Sequence, residues 1–396
     1  MSVVGCVLVL LAPARALAQH VVDGASSARI RVGPLGLTPR IAIRNLGVDS
    51  NVRHSTDDAR KDFTVTFVPE LESWMRLGRA RFQGRTTAEW MYFGRSVSER
   101  SIGRGQSGSA ELRLNSFTPY GAVSYLRTEQ SSTLEIADRL PQSNSMRRLG
   151  VSATLSPTFR FDVEGQQQSY RLVGITPESA QYASSLNRDV TTFTVSGNYG
   201  LTPLTTLVVR TSVLRDRFAL TPLRNSNSVS VTPGFEFKPF ALVSGTLFVG
   251  YRKFSALDAD VPDYAGLTAS INVRYVIREM TKVMVGFRRE LEYSFEQTQP
   301  YYLATGTDVS VVQMLGPGWD VVGRAGRSAL AYRNVLSAAT PDGRKDRIAT
   351  WGIGAGRHLP SGLRVGFDVD YLRRVSMIDG RGFHGVRFGG SVTYGS

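Results

Sequence analysis

Apolar and polar residues alternate one for one along most of the chain. Across residues 267–275 every odd position is apolar and every even one polar. The next stretch repeats the arrangement. Val283, Val285, Phe287, Leu291 and Tyr293 share one face, and Lys282, Arg288, Glu290 and Glu292 share the other. A period of two predicts extended strands whose two faces meet different media. From Thr38 to Tyr394 it recurs as about eighteen strands, joined by about nine longer polar loops and about eight short turns. Proline and glycine mark the turns: Thr118-Pro119-Tyr120-Gly121, Ser156-Pro157-Thr158, Thr202-Pro203, Lys238-Pro239, Gly316-Pro317-Gly318 and Pro360-Ser361-Gly362. The longer connections are expected at 129–145, 173–187, 298–305 and 336–345. The predicted fold class is all-β: a transmembrane antiparallel β-barrel of about eighteen strands, apolar towards lipid and polar towards a lumen. An even strand number returns both termini to one side, expected to be the periplasm.

Composition sharpens this reading. The 396 residues would suffice for two soluble domains, but no linker or compositional shift divides them. A hydrophobic fraction of 42% and a mean hydropathy of −0.12 exclude a helical membrane protein, which needs runs of about twenty apolar residues. A barrel needs only alternate apolar positions. The one continuous apolar run is Val7-Leu8-Val9-Leu10-Leu11, followed by Ala16-Leu17-Ala18. It predicts a secretory signal peptide over 1–18, then a short periplasmic segment over 19–37 and the barrel over 38–396. No Lys or Arg precedes that run, which leaves the true start codon open. Val3-Val4-Gly5-Cys6 resembles a lipoprotein box, but an apolar stretch follows the cysteine where a polar tether belongs. Cleavage removes Cys6, the sole cysteine, and with it any disulfide or thiolate chemistry.

The chain closes on Phe388-Gly389-Gly390-Ser391-Val392-Thr393-Tyr394. Alternation ending on an aromatic residue resembles the C-terminal signal of the barrel-assembly machinery, here followed by Gly395 and Ser396. The opening is also distinctive: Leu37-Thr38-Pro39-Arg40-Ile41, Gly47-Val48-Asp49-Ser50-Asn51-Val52, and Asp62-Phe63-Thr64-Val65-Thr66-Phe67-Val68-Pro69-Glu70-Leu71. It resembles the first strands of the outer-membrane β-barrel porins of the type-2 β-barrel porin family. That resemblance implies a single-domain barrel in the bacterial outer membrane, encoded in some relatives with exopolysaccharide export systems. It carries no catalytic residue.

The net charge of +14 needs a location. An exported barrel makes nucleic acid an unsuitable partner. Outgoing strands end on basic residues, including Arg252 with Lys253, Arg288 with Arg289, and Arg373 with Arg374, and returning strands begin with others, including Arg147 with Arg148. This predicts a basic rim against lipopolysaccharide phosphates, with Arg127, Arg171, Arg217, Lys253, Arg289, Arg333 and Arg373 as candidates. Arg289 falls on the apolar face, where mid-membrane placement would cost about 2–4 kcal/mol, so it belongs near the interface. For the lumen the candidates are Arg79, Arg81, Arg85, Arg113, Arg160, Arg210, Arg274, Arg278, Glu290, Arg364 and Asp368. The two signs are nearly matched there, which predicts cross-strand ion pairs with only a slight anion preference.

No pattern points to catalysis, a cofactor or a metal. Gly103-Arg104-Gly105-Gln106-Ser107-Gly108 fits a dinucleotide fingerprint but has no helix after it and is placed in a loop. Asp258, Asp260 and Asp263 lack the glycine and glutamate of a calcium loop. His384 near Asp379 and Ser376 is the sole conceivable enzyme remnant.

The expectation is a channel for passive passage of small or anionic hydrophilic solutes, with exopolysaccharide export and a periplasmic export partner as one branch. The alternative is a non-conducting structural or surface-binding barrel whose basic collar binds lipopolysaccharide. A general porin should also fold a long loop inside, and no predicted loop exceeds about twenty residues.

Overall fold

The computed structural model describes residues 28–129, 134–135, 139–173, 177–239, 242–338 and 343–395. The expected signal peptide lies outside them. Nineteen strands form one antiparallel sheet. A short β1 (Ile30–Val32) precedes eighteen long strands: β2 (Leu35–Asp49), β3 (Asp62–Leu77), β4 (Ala80–Phe93), β5 (Ser101–Leu112), β6 (Phe117–Thr128), β7 (Gln142–Thr154), β8 (Phe159–Leu172), β9 (Arg188–Thr202) and β10 (Thr205–Phe218). There follow β11 (Ser226–Phe237), β12 (Val243–Ala256), β13 (Tyr264–Ile277), β14 (Thr281–Tyr293), β15 (Tyr301–Met314), β16 (Trp319–Arg333), β17 (Lys345–His358), β18 (Leu363–Val375) and β19 (Phe383–Tyr394). Each pairs with the next, and β19 pairs back onto β2, so the sheet closes and no long edge is left.

Closure depends on a close approach at the seam. β2 carries a bulge around Asn45, whose φ is 54°, so its register shifts against β3 between Arg44 and Gly47 and against β19 between Gly390 and Val392. A Cβ on Gly47 would come within 2.0 Å of the Phe388 carbonyl oxygen. Where β19 stops at Tyr394, β1 continues along β2, pairing Ile30 with Leu37. Arg29 lies over the Tyr394 ring at 4.9 Å, and Arg40 Nε donates to the Gly395 carbonyl at 3.1 Å.

Alternation sets the two faces. Apolar side chains such as Trp90, Val123, Leu149, Phe193, Val209, Leu267, Ile353 and Phe367 are exposed on the outside. A soluble protein would bury so continuous an apolar surface, and a membrane supplies the apolar medium. Eight short turns gather at one end of the barrel and nine longer connections at the other.

Several details depart from the sequence expectation, among them β7 beginning at Gln142, inside the loop expected at 129–145, and the β16–β17 connection running 334–344 where 336–345 is expected. Pro119 lies inside β6, opposite Val151, and the turn is at 113–116, which contains neither proline nor glycine. Tyr301 and the residues after it belong to β15, so that connection is 294–300, not 298–305. Residues 103–108 are strand in β5, not loop, and no helix follows them. One helix, α1 (Pro177–Leu186), sits in the connection between β8 and β9.

Candidate functional site: the lumen and its cap

Inward-facing charges are held mostly in ion pairs between neighbouring strands. Arg40 binds Glu70 at 2.8 Å and Glu72 at 2.9 Å, and Arg85 reaches the other oxygen of Glu70 at 2.6 Å. Arg81 lies 3.9 Å from Glu111, which Arg113, just past the end of β5, meets at 2.8 Å. Arg160 stands 3.3 Å from Asp162, and Arg210 3.7 Å from Glu236 with its guanidinium over Phe248. Arg324, which the sequence did not single out, joins Asp368 at 2.9 Å to Asp370 at 3.0 Å. Arg364 grips both oxygens of Asp320 at 2.6 Å, and His358 Nε2 lies 2.7 Å from the same carboxylate.

Other candidates sit differently. Arg79 occupies the tight turn between β3 and β4 instead of a lumen strand. Glu290 shares the inward face of β14 with Arg288 and Glu292. Arg274, Lys282 and Arg278 cluster at the short-turn end of the β13–β14 hairpin, Arg278 in the turn with φ at 49°. Among the described residues none of the three has a carboxylate partner. This cluster and the Arg81–Arg85 strand stand nine strands apart in a ring of eighteen, so the two groups of basic residues lie on opposite sides of the barrel.

The long-loop end carries a packed layer. β13 follows β14 only up to the pair Ala269 and Arg289, whereas β14 and β15 run on together to Tyr293 and Tyr301. Arg289 marks the fork, donating to the Leu267 carbonyl at 3.2 Å and to Thr305 Oγ1 at 3.0 Å. Beyond it the β14–β15 tip leaves the wall and packs against inward residues of other strands. Leu291, Tyr293, Phe295, Tyr301 and Leu303 form an apolar core with Leu186, Phe218, Phe254 and Val261. Tyr182 of α1 meets Phe295 edge-on at 4.4 Å.

Polar groups lock this layer. Arg224, fully buried between β10 and β11, donates to the carbonyls of Ser294 at 3.0 Å and Glu296 at 2.7 Å. Glu135, in the β6–β7 connection, accepts from Ser294 Oγ at 2.7 Å and the Phe295 N–H at 3.2 Å. Arg374 donates to the Glu135 carbonyl at 2.6 Å and to Asp346 at 2.7 Å, and Arg344 shares Asp346 at 3.2 Å. Arg381 pairs with Glu296. Glu99 lies between Arg53 at 3.7 Å and Arg139 at 3.9 Å. Of the nine longer connections, the one between β8 and β9 supplies Tyr182 and Leu186 to the apolar core, and the other eight each contribute a residue to these links. Asp260 does so by accepting from the Ser337 N–H and Oγ, so it ties two loops together.

Burial pushes the Glu135 carboxyl up to about 7, against the opposing pull of its two donors and of Arg344 and Arg381. The same cause lowers the pKa of the Arg224 guanidinium.

The paired basic residues of the expected rim separate by strand alternation. Arg252, Arg288 and Arg374 turn inward, to Ser228, Glu292 and Asp346, while Lys253, Arg289 and Arg373 face out. Arg148 also faces inward, 3.4 Å from Glu164. Arg127 and Arg373 are exposed on the outer surface. Arg171 pairs with Asp189 at 2.7 Å, Arg217 donates to Ser226 and Asn227, and Arg333 lies at the top of β16.

The sequence matches the family model described as "Putative beta-barrel porin 2" over residues 27–395. The chain belongs to that family. This porin-like barrel is therefore an outer-membrane protein whose family consists of channels rather than enzymes. Solved structures of similar fold include OccK2 of Pseudomonas aeruginosa, at 12% identity and a TM-score of 0.49, covering 90% of the porin and 97% of that chain. A BenF-like porin from Pseudomonas fluorescens Pf-5 gives 12% and 0.48, covering 90% and 98%. The siderophore receptor PirA of Acinetobacter baumannii gives 8% and 0.45, covering 86% of the porin, which spans 64% of that longer chain. No protein of curated function matches the porin in sequence.

Proposed function

We propose that this porin is a restricted channel for small hydrophilic solutes, entered past the basic cluster at its short-turn end and controlled by the cap at its long-loop end. One observation carries this reading: a wide wall lined with charged and polar groups is spanned at one end by a layer built from separate, non-covalent contacts. Eighteen strands enclose enough space for an aqueous passage. Because most lumen charges are paired, the wall presents little net field. Arg274, Arg278 and Lys282 have no acidic partner among the described residues and favour anions locally. In this orientation the short turns and both termini face the periplasm and the long loops face outward, as in single-chain barrels. The assembly machinery is the expected partner of β19. Export of an anionic polysaccharide would require the whole cap to swing aside, and the lumen offers no continuous basic track for it.

Single-channel recording of the full chain refolded in planar bilayers tests this. The expected result is small conductance that increases when the cap is weakened, with a reversal potential on the anion side. A folded barrel that stays silent even with the cap disrupted overturns it. That outcome would favour the second reading, a non-conducting surface barrel, which the packed loop layer also supports.

A further inference from the structure

We propose that the outer surface of β16, β17 and β18 holds a defined site for the phosphorylated headgroup of an outer-leaflet glycolipid, formed by Arg327, Arg347 and Arg373. Arg327 pairs in register with Ala349, which pairs with Arg373 on the far side, so two arginines flank an alanine in one row. Arg347 stands one repeat above that alanine on the middle strand, next to Ala329. All three are exposed and face outward, and among the described residues none has an acidic partner. Adjacent strands lie about 4.8 Å apart, so Arg327 and Arg373 are separated by about 10 Å at the backbone. Three guanidinium groups at that spacing, over two small side chains, can converge on one tetrahedral anion.

Three like charges gathered this closely repel one another. A phosphate reverses that cost, because it accepts paired N–H donors from arginine in a geometry lysine cannot match. The position selects a lipid over a soluble anion. Directly below the arginines, Trp351 and Tyr371 stack at 5.4 Å, and Ile353, Phe367 and Val365 continue the exposed apolar band. Stacked Trp and Tyr belong at the interface between headgroups and hydrocarbon, so acyl chains would lie along the apolar residues with the phosphate at the arginines. The site rests on the outward orientation of the long-loop end proposed above, but it does not depend on conduction.

The test is binding of diphosphorylated lipid A, and of the same lipid with its phosphates removed, to the detergent-folded full chain by native mass spectrometry. The wild type should hold the phosphorylated form at least about tenfold more tightly. R327Q/R347Q/R373Q should lose that preference, while R104Q/R127Q, which removes the exposed arginine pair facing each other on β5 and β6, should keep it. Heat-dependent electrophoretic migration confirms that each variant is folded. Should the triple variant fail to fold, R347Q alone must still weaken binding of the phosphorylated form by about threefold. Equal binding of both lipids overturns the site, as does a folded triple or single variant with unchanged preference. Equal losses in the triple variant and R104Q/R127Q would mean diffuse attraction by a basic collar, and would overturn it too. Unchanged conductance in a variant that loses lipid would leave the channel reading standing.

Discussion

The carboxylate of Glu135 accepts the hydroxyl of Ser294, 159 positions away, at 2.7 Å, and the neighbouring Phe295 N–H at 3.2 Å. One acidic side chain thereby ties the β6–β7 connection to the tip of the β14–β15 hairpin, in the middle of the cap.

That position predicts pH dependence. An unburied glutamate titrates near 4.3. Burial holds Glu135 up to about 7. Between those values the closed cap binds a proton that a released loop would give up. The stability of the cap therefore falls as pH rises through this window, and the contribution is gone above about 7. Conductance should be higher at pH 8 than at pH 5, and E135Q should flatten the difference. Recordings across that range check both.

Arg224 offers a second handle on the cap. Its removal in R224A leaves the Ser294 and Glu296 carbonyls buried without donors, a local cost of about 1–3 kcal/mol. The wall does not use this contact. Open probability and protease sensitivity of the loops should rise while heat-dependent migration of the barrel stays normal.

At the opposite end, Arg274→Glu with Lys282→Glu reverses the sign of a lumen cluster that has no acidic partner among the described residues. Ion preference should shift from anions towards cations, seen as a change in sign of the reversal potential in a salt gradient. Because both residues are exposed at the short-turn end, folding yield should be little changed.

The seam gives a prediction about assembly. Gly47 stands where a Cβ would meet the Phe388 carbonyl oxygen and the Gly389 Cα, both backbone atoms that cannot swing away. Gly47→Val should prevent β2 and β19 from joining. The expected readout is a loss of most of the heat-modifiable folded band, with the same substitution at Gly165, which has open space around it, tolerated.

Much of the wall was legible in the chain because membrane strands answer to a period of two and to turn chemistry. Strand number and the division into nine long and eight short connections followed from those signals alone. Pro119 misleads because an early strand position tolerates proline, whereas the real turn beside it, Arg113, Leu114, Asn115 and Ser116, has only the weaker Asn-Ser signal and neither proline nor glycine. Arg79 was assigned by parity, which ends where the turn begins. Arg252, Arg288 and Arg374 looked like partners of the residues beside them, although a single step along a strand reverses the face. The cap was not legible. Its core joins Phe218, Phe254 and Phe295, brought together only by closure of the ring, and nothing in a local pattern shows that β14 and β15 outrun β13.

That overrun has a mechanical side. The β14–β15 tip is continuous with two wall strands, so the cap is less a separate stopper than a lever with its fulcrum at Arg289. The two acceptors that Arg289 reaches span the fork, one on β13 and one on β15. Anything that shears β13 against β14, including lateral tension or a change in bilayer thickness, would act on the same fork from which the cap extends. The barrel would then answer to the state of its membrane as well as to what lies inside it.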